Sequence, residues 1–279
     1  MPTVLILTTD NLPHPDLDTP PLTAALQARG AEVLVEPWHT LTDAALAADV
    51  ALIRTTWDYF DRVDEFTRAV HRLPMPVHNP AAIVEWNSHK GYLVDLSTAG
   101  VPVVPTTVLR RGSPAVLPFV DAVEVVIKPA VDGGGRGVGR FTVDSPDAGA
   151  HLAWVLERDD ALVQPFEPTV SAGERSLIYL AGSYSHAVRK IPAEGDYRVQ
   201  VQHGGQNHPY VATGADIEVA EQTLAAVPGG TRLLYARIDL VGEPNTPVVM
   251  ELEVIEPELF LPLAPGAADR LADGLLASL

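Results

Sequence analysis

The order of apolar runs predicts a mixed α/β protein in three parts. These are a parallel α/β unit over residues 1–80, a small α+β unit with a glycine-rich flap over 81–160, and a C-terminal unit over 161–279. Three observations carry that expectation. The N-terminal segment alternates strand and helix patterns in β-α-β-α-β order, which implies a parallel sheet with right-handed crossovers. The stretch VVIKPAVDGGGRGVGRF, residues 125–141, reads as strand, glycine loop and strand again. Two late apolar runs, residues 235–240 and 248–253, are strands interrupted by carboxylates.

Taken in chain order, residues 3–7 are an apolar strand, 20–29 a helix with Ala24, Ala25 and Leu26 inward, and 31–35 a second strand. Residues 40–48 read as helix and 50–53 as the third strand. Ligands of such sheets gather at the carboxyl ends of strands, which makes Arg54, Thr55, Thr56 and Trp57 candidates for a substrate anion site. A boundary is expected near His78-Asn79-Pro80. A helix over 88–98 ends at Gly100, a C-cap position followed by Pro102. Strands at 103–108 and 123–127, the flap, and a helix at 146–157 complete the middle unit. The third unit opens at Leu162-Val163-Gln164 and continues with strands at 176–181 and 185–189. A helix at 216–227 then leads to the strands at 234–241 and 248–253.

Composition narrows the function. Hydrophobic residues make up 47% and charged residues 20% of the 279, the balance of a soluble globular protein. A net charge of −17 argues against nucleic acid as a partner, because such binding rests on neutralising phosphates with Lys and Arg. There is no cysteine, so disulfides, thiolate zinc sites and cysteine nucleophiles are excluded. The start, MPTVLILTTD, lacks a basic region and a long apolar segment, and no run reaches membrane length. A cytoplasmic protein with no membrane partner is the expectation.

The glycine run fits neither familiar phosphate loop. It ends in Gly137-Val138-Gly139-Arg140-Phe141, with no Gly-Lys-Ser/Thr opening a helix, and its spacing is not G-x-G-x-x-G. A hairpin flap remains, with a lysine at its root. Of the 19 basic residues only Lys90, Lys128 and Lys190 are lysines. Where arginine is so preferred, a lysine marks a place that needs a compact ammonium.

On the last strand Glu251 and Glu253 are two apart and share a face, with Met250 and Leu252 on the other. With Asp239 they offer three hard oxygen ligands, which suit Mg²⁺ shared with nucleotide phosphates. Apolar neighbours on both sides suggest central strands, where like charges would repel without a cation.

These pieces, in this order, resemble the ATP-grasp superfamily, in the branch of glutathione synthetase and the ribosomal-protein glutamate ligases. The resemblance runs through Ile53-Arg54, Asn87 to Lys90, Val126 to Pro129 with the Gly133 to Gly139 flap, Leu162 to Pro168, Gly195 to Arg198 with Gly204-Gly205, Asp239, and Glu251 to Glu253. Thr56 to Tyr59, Ser185 to Lys190 and Glu256 to Leu261 are similar to motifs of the cyclo-ligase group of cycloserine biosynthesis. The resemblance implies two ATP-grasp subdomains that sandwich the nucleotide, with ATP and Mg²⁺ as cofactors and Mn²⁺ as an alternative ion. It implies Lys90 and Lys128 at the ATP phosphates, with Lys128 also near the adenine, and Gly133, Gly134 and Gly135 in the flap above them. The backbone of Gln164, Pro165 and Phe166 becomes the hinge that reads the adenine edge, and Glu174 a candidate for the ribose or for Lys128. Arg189 and Lys190 compete for one catalytic cation position, while Arg198 grips the transferring phosphoryl group or the substrate carboxylate. Asp239, Glu251 and Glu253 form the metal site, although the family usually has asparagine at the position of Glu253. Gln200 stands for another asparagine, and Ser176 for an arginine.

The implied reaction is amide formation through an acyl phosphate, with the flap excluding water. Arg54, Thr56, Arg198, Gly204, Gly205 and Glu256 are the expected substrate contacts, and His186, His203 and Glu256 lie near enough in sequence to be the base. A small amino-acid-type substrate is expected. Joining two molecules is placed ahead of closing a ring within one, and a homo-oligomer is left open. Four rival readings meet the same residues. The turn after the first strand, Thr8 to Leu12, lacks the glycines of a nicotinamide site, and neither G-x-S-x-G nor H-E-x-x-H occurs. A catalytically inactive nucleotide sensor would have no use for all three carboxylates and both phosphate lysines.

Overall fold

The computed structural model describes residues 1–230 and 232–279. In chain order its strands and helices are β1 (Thr3–Thr8), α1 (Thr19–Ala28), β2 (Glu32–Pro37), α2 (Asp43–Leu46), β3 (Val50–Thr55), α3 (Val63–Arg72), β4 (Val77–His78), α4 (Ala81–Asn87), α5 (Tyr92–Thr98), β5 (Thr107–Leu109), β6 (Glu124–Pro129), β7 (Gly139–Thr142), α6 (Pro146–Leu156), β8 (Ala161–Pro165), β9 (Glu174–Leu180), β10 (Ser183–Ile191), β11 (Gln206–Tyr210), α7 (Gly214–Ala225), β12 (Tyr235–Val241), β13 (Val248–Glu253) and α8 (Ala267–Leu276).

Three sheets follow from this order. The N-terminal sheet is parallel, β2-β1-β3-β4. Its central strands are apolar over Val4 to Leu7 and Val50 to Ile53 because both faces are covered there. One face packs on α1, α8 and residues of β9 and β12, the other on Trp38, Phe66 and Val70. The first helix turns Leu22, Ala25 and Leu26 inward, while Ala24 is exposed, so the expected inward face is rotated. The helix expected over 40–48 is a single turn, started by Thr42, whose side chain accepts from Ala45 N–H.

The flap sheet is antiparallel, β5-β8-β6-β7, with α6 on one face. Strand β8, expected to open the third unit, lies inside this sheet between β5 and β6. The C-terminal sheet runs β11-β10-β9-β12-β13 and is also antiparallel. Helix α7 covers it, its first turn closed by a capping box between Thr213 and Asp216. Strand β12 is central as expected, but β13 is the terminal strand, with Val103 bridging only Val249 on its outer side.

Two departures position the site. The helix expected over 88–98 begins only at Tyr92 as α5, separated from an unexpected α4 by residues 88–91, and the N–H of Lys90 donates to Ala130 O at 2.7 Å. The break turns Lys90 toward the end of β6 instead of leaving it on a helix surface. The boundary at His78-Asn79-Pro80 is a clamp. Buried Asn79 donates to Tyr235 O (2.9 Å) and Val254 O (2.8 Å) and accepts from Leu234 N–H (2.8 Å). No helix among the described residues is long and apolar enough to cross a membrane.

Candidate active site

A cleft of about 780 Å³ lies between the flap sheet and the C-terminal sheet, with the turn after β3 closing one end. Strand alternation supplies its floor. Lys190 of β10 is level with Glu174 of β9, and Asp239 of β12 is level with Ser176. Lys190 Nζ lies 2.9 Å from Glu174 Oε2 and 2.7 Å from Asp239 Oδ2, and Ser176 Oγ donates to Asp239 Oδ1 at 2.5 Å. Arg189, one residue earlier, points to the opposite face and donates to Ala172 O (2.9 Å). Lys190 therefore faces the cleft and Arg189 does not, since adjacent strand residues cannot share a face.

Arg237 is the residue that sequence reading missed. It sits two before Asp239 on β12, donates from Nε to Asp239 Oδ1 at 3.1 Å, and from Nη2 to Glu253 Oε1. Its signal was present as an arginine inside the apolar run YARIDLV, two positions from a carboxylate and hence on the same face. Lys90 Nζ pairs with Glu251 Oε1. A bulge in the β12·β13 pairing between Asp239 and Leu240 leaves Met250 without a register partner and brings it to the cleft beside Glu251 and Glu253, although strict alternation predicted the other face.

Asp239, Glu251 and Glu253 each present one oxygen within 4.8 Å of the others. Both oxygens of Asp239 are engaged by Ser176, Lys190 and Arg237, while Glu251 and Glu253 each keep one oxygen with no donor among the described residues. Burial, helped by Glu251 and Asp239, pushes Glu253 up to about 7 despite Arg237. Hard oxygen donors and crowded charge are what a divalent cation relieves, so the residues fit Mg²⁺.

The remaining charges divide the cleft. Lys128 is buried at the root of the flap with no hydrogen bond or ion pair among the described residues. Burial, reinforced by Lys90, holds its ammonium below the ordinary value against the pull of Glu251. Burial first, then Glu253, raises Glu256 to about 8, and burial raises Asp132 to about 7.

Of the expected site residues, Lys90, Lys128, Gly133, Gly134, Gly135, Gln164, Pro165, Phe166, Glu174, Lys190, Arg198, Glu251, Glu253 and Glu256 line the cleft, and Asp239 stands directly behind it. Others are placed elsewhere. Arg54 is buried, donates from Nη2 to Pro257 O (2.8 Å) and Asp18 Oδ2 (3.3 Å), and does not reach the cleft, nor does Thr56. Gly204 and Gly205 close the turn after residues 201–203. Gly204 is left-handed (φ 85°), and a Cβ on Gly205 would strike the Val199 carbonyl, so they shape the loop carrying Arg198 without touching the cleft. Glu174 serves Lys190 rather than Lys128. Arg198 lines the cleft with its guanidinium held by Asp196 (2.8 Å). In the hinge, Phe166 N–H already donates to Glu124 O (2.9 Å) and Pro165 has none, so neither supplies the donor expected there. The Gln164 side chain donates to Thr106 Oγ1 (2.9 Å). His203 and Glu256 face the cleft, whereas His186 points away and bonds Leu259 O (2.9 Å).

Known proteins share the sequence pattern and the fold of this chain. The model of the prokaryotic glutathione synthetase ATP-grasp domain matches residues 96–260, and that of the D-cycloserine synthetase DcsG N-terminal domain matches residues 4–79. The chain is 30% identical to the cycloserine biosynthesis protein DcsG of Streptomyces lavendulae, over 98% of this chain and 97% of that one. It is 28% identical to a glutathione synthetase of Prochlorococcus marinus strain MIT 9313, over 89% and 86%. Among solved structures it superposes on D-cycloserine synthetase DcsG with a TM-score of 0.88 at 29% identity, covering 99% of each chain. A D-alanine–D-alanine ligase from Bacillus anthracis shares the fold, with a TM-score of 0.71 at 16% identity over 99% and 97%.

Proposed function

Because this chain belongs to the ATP-grasp family of carbon–nitrogen ligases, in the branch of the prokaryotic glutathione synthetases, we propose that it joins the carboxylate of a small amino-acid-type substrate to an amine through an acyl phosphate, releasing ADP and phosphate. The observation that carries the reading is the row of paired cations and carboxylates facing the flap: Lys90 with Glu251, Lys190 with Asp239, and Arg237 with Glu253.

A carboxylate is inert to amines because oxide is its leaving group. Transfer of the γ-phosphoryl to a carboxylate oxygen, with ADP departing, converts that leaving group into phosphate. The transfer needs mainly position and charge neutralisation. Lys90, Lys128 and Lys190 supply compact charge at the phosphates, and Arg237 and Arg198 lie where a carboxylate or phosphoryl group would be gripped by a planar fork. Asp239, Glu251 and Glu253 would hold Mg²⁺, which would supply charge neutralisation for the phosphoryl transfer. The amine then attacks the acyl carbon, phosphate leaves, and the nitrogen loses a proton. Glu256, raised to about 8 and inside the cleft, fits that base better than His186, which points away.

Two features favour ring closure within one molecule over the joining of two. Arg54 and the Gly204-Gly205 pair, expected with Arg198 to grip the substrate carboxylate and to leave room for two substrates, are outside the cleft. The likeness to a D-cycloserine synthetase spans nearly the whole of both chains. The glutathione synthetase likeness supports the intermolecular alternative. Incubation with ATP, Mg²⁺ and pooled amino acids or their derivatives, read by product mass and by nucleotide, tests both. One substrate minus water is the expected product and two substrates minus water the alternative. AMP and pyrophosphate in place of ADP would overturn the acyl phosphate.

A further inference from the structure

The glycine flap meets other groups at three places, and two of them lie outside its own unit. At its root, His151 Nε2 is 3.0 Å from Gly137 O. At its crest, Gly134 and Gly135 face the carboxamides of Gln202 and Gln200. At its tip, Arg136 crosses to the N-terminal unit. There Nη2 donates to Asp61 Oδ1 at 3.0 Å, and the guanidinium carbon lies 3.9 Å from the centre of the Phe60 ring. The same ring lies against Gly133, where a Cβ would come within 2.7 Å of it. Phe60 and Asp61 belong to the turn Tyr59–Arg62, which follows β3 and Trp57 and lines the cleft from the N-terminal unit.

We propose that Asp61 and Phe60 are positioning residues: by holding Arg136 they latch the flap shut across two structural units and keep the transferred phosphoryl group from water. Two features of the contact suit a latch that must also release. Arg136 and Asp61 are 54% and 60% exposed, so their attraction is screened by solvent and weak. The aromatic contact adds a comparable increment. Gly134, Gly135 and Gly137 all have positive φ, a backbone conformation glycine adopts without steric penalty, which lets the loop change shape between its anchors. The placement of the turn gives the latch a second consequence. Tyr59 and Trp57 line the same cleft, so a substrate seated against them would bear on the turn that receives the flap, and closure would be coupled to its binding.

The part concerning water rests on the ligase reading above, and the closure itself does not. Closure is read directly by limited trypsin digestion of the full chain, because Arg136 is itself a cleavage site and fragment masses identify the cut. In Asp61→Asn, and independently in Phe60→Ala, cleavage after Arg136 is expected to run about three- to tenfold faster than in wild type, with unchanged cleavage after Arg110 and an unchanged Tm. Turnover is read as the ratio of ADP to amide product. That ratio is expected to rise in Asp61→Asn and in Arg136→Gln, and the double variant should be no worse than Arg136→Gln alone, because losing the guanidinium already removes the Asp61 contact. Equal cleavage after Arg136 in wild type and Asp61→Asn would overturn the latch, as would additive effects in the double variant. Wild-type enzyme that makes ADP but no amide would overturn the ligase reading while leaving the cleavage result to decide the latch.

Discussion

Lys190 of β10 reaches across the intervening strand β9 to Asp239 of β12, Nζ to Oδ2 at 2.7 Å, with Glu174 of β9 on its other side at 2.9 Å. One ammonium thus joins three strands of the sheet beneath the cleft. Asp239 and Glu174 hold it protonated above its ordinary value even though burial opposes the charge.

Lys190→Ala is expected to lower turnover by about 100-fold or more, since it removes charge from the phosphoryl-transfer site. It should also cost about 3 kcal/mol of stability by leaving buried carboxylates under-paired. Arg189→Ala, on the opposite face, should keep near wild-type turnover. Steady-state rates and urea denaturation of the two variants check the assignment, and the reverse order of activities would refute it.

Glu256 makes a pH prediction. Its folded pKa of about 8 lies above its ordinary 4.5, so the folded state favours the neutral carboxyl. The associated stability is complete below about 4.5 and is lost as the pH rises toward 8. In metal-free protein, Glu256→Gln should therefore match the wild-type Tm near pH 5 and exceed it near pH 8.5. A variant that is less stable at the higher pH would contradict the assignment.

Nucleotide binding should depend on the three carboxylates. ATP with Mg²⁺ is expected to raise the Tm, by an amount equivalent to about 2.7 kcal/mol at 100 times Kd. A chelator or Glu251→Ala should remove most of that rise. Full protection by ATP without divalent cation would show that the carboxylates do not hold the ion.

Arg54 is expected to act on stability rather than on substrate. Arg54→Met deprives buried Asp18 of its cationic partner and should cost about 3 kcal/mol in denaturation. KM for the carboxylate substrate should stay within about threefold. A KM raised tenfold or more in a fully stable variant would return Arg54 to the substrate site.

The sequence was legible where one local rule decides the outcome. Apolar runs located the central strands, because a strand covered on both faces has no polar position to lose. The glycine hairpin and the i, i+2 glutamates were readable for the same reason: turn chemistry and strand periodicity act over a few residues. Helix α8 went unread although its pattern is local, and its role could not be inferred, because it is defined by packing on α1 at the other end of the chain.

By itself, the sequence determined the three sheets' main strands, the flap with Lys128 at its root, and the set of carboxylates. Each of these is dictated by side-chain chemistry and short-range backbone geometry. Only the tertiary structure decided that Lys190 and not Arg189 faces the cleft, that Arg237 completes the charged row, that Met250 joins it through a bulge, and that Arg54 is locked away by Asp18. These outcomes depend on strand register and on contacts between residues far apart in the chain, where burial forces each charge to find a partner that no local pattern specifies.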